Sequence, residues 1–157
     1  VGLRIVKETK GPASANARAQ FSTFVLGGRM YGVDVIRVQE VVRSMPMTMI
    51  PLAANYVKGL INLRGQVATA IGLRELFGFK DGSIPSSMNM VCKFDGNLVS
   101  FLVDEIGDVV EVPRSEFETT PQTVPEEIKR FMSGVYKMPG NILSIIDIDK
   151  LMAHLNK

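Results

Sequence analysis

Along most of the chain apolar residues come in short runs broken by glycine, not at the three-and-four spacing of an amphipathic helix. Residues 21–26, then Gly27 and Gly28, then residues 31–35 predict a β-hairpin with a glycine turn. Val33 and Val35 alternate with Asp34, the pattern of a half-buried strand. Residues 38–42 continue extended, Pro46 and Pro51 bracket a loop, and residues 55–58 form a short helical turn. Residues 60–63 and 66–71 flank Arg64-Gly65 as a second hairpin, followed by a short helix at 73–77 that Gly78 stops. Residues 81–89 read as a polar linker. A third hairpin spans 90–103 around Asp95-Gly96, a strong turn pair. Residues 109–112 make another strand before Pro113, and 124–132 a helix with acids first and bases later. Residues 135–146 form a last hairpin around Pro139-Gly140, and Asp147 opens a terminal helix. Residues 1–19 are polar and small, so they are expected to be a mobile tail, with the folded domain running from 20 to 157.

The second hairpin and its helix recur. Residues 59–77 align without a gap on residues 134–152, at a constant offset of 75. Gly59 meets Gly134, Gly65 meets Gly140, Ile71 meets Ile146 and Leu76 meets Leu151. Each copy has its own glycine-turned hairpin upstream, so two small strand-rich barrels joined side by side are expected. Small barrels also leave few open strand edges.

Composition narrows the function. Of 157 residues, 46% are hydrophobic and 22% charged, ordinary for a globular domain and against wholesale disorder. One cysteine, Cys92, excludes an internal disulfide framework, and one histidine, His154, lies three residues from the end. No apolar run is long enough to span a membrane. The net charge of +2 conceals a division: residues 21–80 carry a net +4 and residues 95–127 a net −8. Such a dipole suits a protein partner better than nucleic acid, which calls for a basic groove with stacking aromatics.

No phosphate-binding glycine loop, zinc-protease pair or serine elbow is present, and no Cys–His pair can form a thiol nucleophile. The carboxylates Asp104, Glu105, Asp108 and Glu111 could attract a hard cation, but the apolar residues between them read as a strand–turn–strand with a wet acidic face. Cys92 sits inside a strand and reads as a buried structural thiol. Met45, Met47 and Met49 lie in a loop and are the methionines open to contact. Arg64 stands out. It occupies a hairpin turn whose counterpart in the repeat is Pro139, so the turn does not need arginine, and a planar cation there calls for a partner. Glu40 is the candidate.

Asn62-Leu-Arg-Gly with Leu73-Arg-Glu-Leu-Phe-Gly, Tyr31-Gly-Val-Asp-Val with Val38-Gln-Glu-Val, and the acidic run 102–110 together resemble the chemotaxis coupling family, the CheW-like domain. The resemblance covers residues 20–155. It implies a mainly β fold of two intertwined, SH3-like five-stranded β-barrels with short helices. It implies a cytoplasmic, non-catalytic adaptor without cofactor or metal, recruited to receptor arrays at the membrane but not inserted in it. The implied partners are the regulatory domain of a chemotaxis histidine kinase and the cytoplasmic tip of methyl-accepting chemoreceptors. Val38, Glu40, Gly59 and Arg64 lie in the matching motifs and Val91 joins them from the third hairpin, so these five are the expected binding residues. The receptor tip is expected in a groove between the barrels, and the kinase at a barrel end. A piece of a larger kinase or receiver-fused protein is the alternative; ordinary ends near residue 1 and at Lys157 suggest a free-standing adaptor. The family usually has Asp where Gly72 stands and Pro where Thr69 stands; both read as structural variation, since Gly caps a helix nearly as well.

Overall fold

The structure is a computed structural model describing residues 17–79 and 88–156. Ten strands run in chain order: β1 (Arg18–Leu26), β2 (Arg29–Asp34), β3 (Val38–Arg43), β4 (Val57–Leu63), β5 (Gln66–Gly72), β6 (Met88–Phe94), β7 (Asn97–Val103), β8 (Glu105–Pro113), β9 (Met132–Met138) and β10 (Asn141–Ile146). Three short helices, α1 (Leu73–Leu76), α2 (Glu126–Lys129) and α3 (Ile148–Leu155), follow β5, precede β9 and follow β10. Two five-stranded sheets result, ordered β8-β1-β2-β10-β9 (barrel A) and β3-β6-β7-β5-β4 (barrel B).

This order corrects the side-by-side reading and agrees with the intertwined one. Each sequence unit consists of a hairpin, a strand, a second hairpin and a helix. In the fold the units exchange their first hairpins: β1–β2 joins β8, β9 and β10, whereas β6–β7 joins β3, β4 and β5. The joints are parallel pairings, β2 with β10 and β7 with β5, flanked by antiparallel ladders. The chain passes from barrel A to B through a 3₁₀ turn at Val35–Arg37, and back through the single residue Asp104.

The offset of 75 is a structural repeat in detail. The β4–β5 ladder slips between Val57 and Gly59, and the β9–β10 ladder slips at the equivalent Ile145/Ile146 step. Each sheet is drawn closed by one bridge. Thr48, beyond β3, exchanges backbone hydrogen bonds of 2.9 and 2.8 Å with Leu60. Glu118, beyond β8, does the same with Val135, the residue equivalent to Leu60. The strand crossing there lies so close that a side chain at Gly59 or Gly134 would strike the Thr48 or Glu118 carbonyl, which explains both matched glycines.

Three apolar clusters fill the fold. Phe21, Tyr136, Leu143 and their neighbours fill barrel A; Ile61, Leu63, Ala68, Ala70 and Val91 fill barrel B. The largest lies between the barrels and draws Phe24 and Tyr31 from one, Met90 and Phe101 from the other, and Leu151 from α3. Several strands are therefore covered on both faces, as the near-continuous burial of β1 shows. That explains why strict alternation was weak in the sequence.

Several local expectations change. β2 ends at Asp34, whose Oδ1 accepts from Ile36 N at 3.1 Å and starts the 3₁₀ turn, so Val35 is not in the strand. Residues 55–58 are a turn running into β4, not a helical turn. β6 starts at Met88 within the expected linker, while residues 80–87 of that linker lie outside the described residues. The acids from Glu105 to Glu111 lie on one strand, β8, whose pairing with β1 shifts register between Ile106 and Val109, not on a strand–turn–strand. The helix expected over 124–132 shrinks to α2 because Met132 joins β9. Residues 1–16 of the expected tail lie outside the described residues, but Arg18 and Ala19 belong to β1, where Arg18 pairs with Glu111 at 3.1 Å.

Candidate functional site

Arg64 and Glu40 meet across the seam that closes barrel B. Glu40 lies on edge strand β3, opposite Val91 in register. Arg64 lies at the tip of the β4–β5 hairpin, and its Nη2 donates to Glu40 Oε2 at 2.5 Å. The guanidinium side chain is 72% exposed and the carboxylate 22%. The turn holds Arg64 at φ 52° and Gly65 at φ 93°, the paired positive values of a type I′ hairpin. Asn62 Oδ1 accepts from Gly65 N at 2.8 Å and fixes it. Proline cannot reach positive φ. The Pro139-Gly140 turn is therefore of another type, and the comparison with Pro139 does not show that this backbone is indifferent to residue 64. What points to function is the side chain itself, an arginine in a conformation that favours Gly or Asn, holding a carboxylate at the surface.

The other expected binding residues have different places. Val38 is half-buried against the inter-barrel core. Val91 is fully buried within barrel B and forms a floor beneath β3 rather than a surface. Gly59 is buried under Thr48. Val67, an exposed valine at 60% that follows the Arg64-Gly65 turn, was not among the expected residues. The loop beyond β3 carries Met49, exposed as expected, and close to it in sequence an exposed residue that the pattern did not single out, Leu52, held at φ 63°. Alternation around the turn was the available signal for Val67, since Ala68 and Ala70 point inward and leave residue 67 outward. An open cleft of about 370 Å³ lies at the A-to-B crossing, bounded by Ile36, Arg37, Phe94 and Asp149. None of the five expected residues lines it.

The most buried ion pair among the described residues was also not expected. Arg74, on α1, donates from Nε and Nη2 to the two carboxylate oxygens of Asp104 at 2.9 and 2.7 Å. Gly27 N donates to the same carboxylate at 2.9 Å. The hydrogen bonds from Arg74 hold the Asp104 carboxyl below the usual aspartate range, against an opposing effect of burial. A depressed carboxylate stabilises the fold above its unfolded pKa, and that contribution disappears as pH falls through the folded value. The stability gap between the native protein and Asp104→Asn should thus be full at pH 7 and narrow below about pH 4. Urea midpoints at a series of pH values check this; a gap independent of pH would refute it.

Among the described residues no three His, Cys, Asp or Glu side chains converge as metal ligands. Asp104 and Glu111 of the acidic run are held by Arg74 and Arg18. Burial pushes the Cys92 thiol up to about 12, so it is a packed thiol and not a nucleophile at neutral pH. Gly72 caps α1 without a side chain, whereas Asp147, its repeat equivalent, accepts from Asp149 N and Lys150 N. Among the described residues no helix is long and apolar enough to cross a membrane.

Two exchanged barrels, closed by matched bridges and carrying a polar corner at the seam of one of them, have the architecture of a binding module. The chain belongs to the CheW-like domain family, whose model matches residues 20–156. It is a chemotaxis coupling adaptor by that membership. It is 27% identical to the chemotaxis protein CheW of Klebsiella aerogenes over 153 residues, 97% of this chain and 90% of the relative. The CheW of Treponema pallidum is 27% identical over 139 residues, 85% of this chain and 82% of the relative. Among solved structures, the scaffolding protein TtCheW from Thermoanaerobacter tengcongensis superposes with a TM-score of 0.74 at 28% identity, covering 83% of this chain and 90% of that one.

Proposed function

We propose that this chain joins the regulatory domain of a chemotaxis histidine kinase to the cytoplasmic tips of chemoreceptors, without turnover of its own, at receptor arrays beside the membrane. The observation that carries this reading is the family match across residues 20–156, on a fold whose exposed polar corner is made by family-motif residues. Arg64, Glu40 and Val67 supply a charge pair beside an exposed apolar side chain, the mixture that fixes register and adds affinity at a protein interface. Val38, Gly59 and Val91 act from beneath by shaping β3 and the closing bridge.

Arg64→Asn and Arg64→Lys test this. Arg64 is mostly exposed and its loss opens the half-buried Glu40 to water, so losing the pair costs the fold about 0–1 kcal/mol. Asn also suits positive φ, which offsets part of that loss. Urea midpoints should stay near native, while pull-down of a receptor-tip fragment and of the kinase regulatory domain, each assayed alone, should fall for at least one partner. Lys should restore charge without the fork and recover binding in part. Native-level binding of both partners by Arg64→Asn would remove this corner from the site.

A further inference from the structure

The two places where the chain passes between barrels are each tied to a helix by an ion pair, and the polarity reverses between them. At the B-to-A crossing, Asp104 is held by Arg74 of α1. At the A-to-B crossing, Arg37 donates from Nη2 to Asp149 of α3 at 2.7 Å. Arg74 and Asp149 are equivalent positions of the repeat, 75 residues apart. Each arginine also stands 5.9 Å from the centroid of a phenylalanine ring, Arg74 over Phe79 and Arg37 over Phe94. The fold thus places a clamp at each crossing although the residue types are exchanged.

The two clamps differ in strength. Arg74 and Asp104 are 6% and 16% exposed and meet through two parallel hydrogen bonds, whereas Arg37 and Asp149 are 32% and 63% exposed and meet through one. The Asp104 group gathers three elements: its carboxylate accepts from the β1–β2 turn at Gly27, its backbone N donates to Val25 O at 3.1 Å, and Arg74 reaches it from α1. Phe79 closes over Gly27 so tightly that a Cβ there would lie 2.5 Å from its ring. The apolar core between the barrels is large and supplies most of the cohesion, but the hydrophobic term itself is non-directional and sets alignment only through packing. Bidentate ion-pair geometry is directional, and setting register is the best-attested use of a buried ion pair.

We propose that Arg74 and Asp104 are positioning residues that pin the alignment of barrel A on barrel B, with Arg37–Asp149 a weaker second pin. Any partner surface that spans both barrels then depends on a pair that need not touch the partner. The alignment stands on geometry alone; its consequence for binding rests on the receptor reading proposed above.

Spin labels at Asn97→Cys in barrel B and Thr119→Cys in barrel A, both exposed, report the alignment as a distance distribution by pulsed electron resonance. The native background should give one narrow distribution. The double variant Arg74→Met/Asp104→Leu replaces the pair by apolar groups and should fold, with a distribution at least twofold broader or displaced. Arg74→Lys keeps the charge but not the fork and should fall between. Asp149→Asn should change the width little. A receptor-tip fragment should bind the double variant at least tenfold more weakly per folded molecule, with partial rescue in Arg74→Lys. A double variant that fails to fold, with Arg74→Lys keeping the native distribution, makes the pair purely structural and overturns the proposal. So does a folded double variant with the native distribution. A broadened distribution with native fragment binding overturns the link to binding. Absence of fragment binding by the native protein defeats the receptor reading, while the distances still judge the pin.

Discussion

Phe131→Ala should unfold both barrels together, at a cost of about 3–5 kcal/mol. Phe131 is fully buried just before β9, stacked 5.9 Å from Phe77 and edge-on to His154 at 5.2 Å. It belongs to the inter-barrel cluster, which among the described residues contains 21 buried residues, against seven inside barrel A and five inside barrel B. A barrel with so small a core of its own cannot stand alone, and the exchanged hairpins mean that neither barrel is one stretch of chain. Total stabilities of about 5–15 kcal/mol leave little after such a loss. Urea unfolding followed through amide signals of β1 and β7 should give one midpoint for both strands, lowered equally by the variant. Val91→Ala, inside barrel B alone, should cost less because two methyl groups are lost instead of a ring, and should still unfold as one unit. Separate midpoints for the two barrels would contradict this account.

Much of this fold could be read from the sequence because the repeat is physical. Gly59 and Gly134 match because each lies under a closing strand, and Gly65 and Gly140 match because each turns a hairpin. What pattern could not show is pairing. Both units carry the same hairpin, strand, hairpin and helix, so a hairpin satisfies its own unit or the other equally well on local grounds. The exchange is fixed by the parallel joints and the shared core, both non-local. The resemblance supplied what the pattern left open.

The site was legible in the same measure. Arg64 and Glu40, 24 residues apart, were brought together by reasoning from an arginine in need of a partner, and the structure joins them. Val91 was expected among the binding residues by resemblance, and the pattern could not show that it faces inward, because a strand residue has no face until its register is known. Arg74–Asp104 was missed because Arg74 looked like a helix residue and Asp104 like one acid among several. The readable signal was the reversal of sign at matched positions: Arg74 in one unit is Asp149 in the other, inside otherwise matched apolar helices. A charge that changes sign in a repeat marks a position answering to something outside its own helix.

Gly59→Ala is expected to be the most damaging single methyl added to this chain. Gly59 holds φ 148°, a conformation that side chains disfavour, and a Cβ there would lie 2.7 Å from Thr48 O and 3.0 Å from Met47 Cβ. That carbonyl is already committed to Leu60 N at 2.8 Å in the bridge that closes barrel B. The added methyl cannot be accommodated by turning a flexible side chain, since it meets backbone. Backbone strain of about 1–2 kcal/mol and overpacking of about 1–3 kcal/mol give a loss of about 2–5 kcal/mol. Gly65→Ala shares a positive φ but faces open space, so it should show only the backbone part. Gly134→Ala meets Phe117 and lies 2.5 Å from Glu118 O with no positive φ, so it should show only the packing part. Urea midpoints of the three variants should order with Gly59→Ala lowest, and hydrogen exchange at the Thr48 and Leu60 amides should quicken most in it. Partner binding should fall with the displaced Met47–Met49 loop rather than through a contact of residue 59 itself. Equal midpoints for Gly59→Ala and Gly65→Ala, together with lost binding, would instead make Gly59 a point of direct approach for the partner.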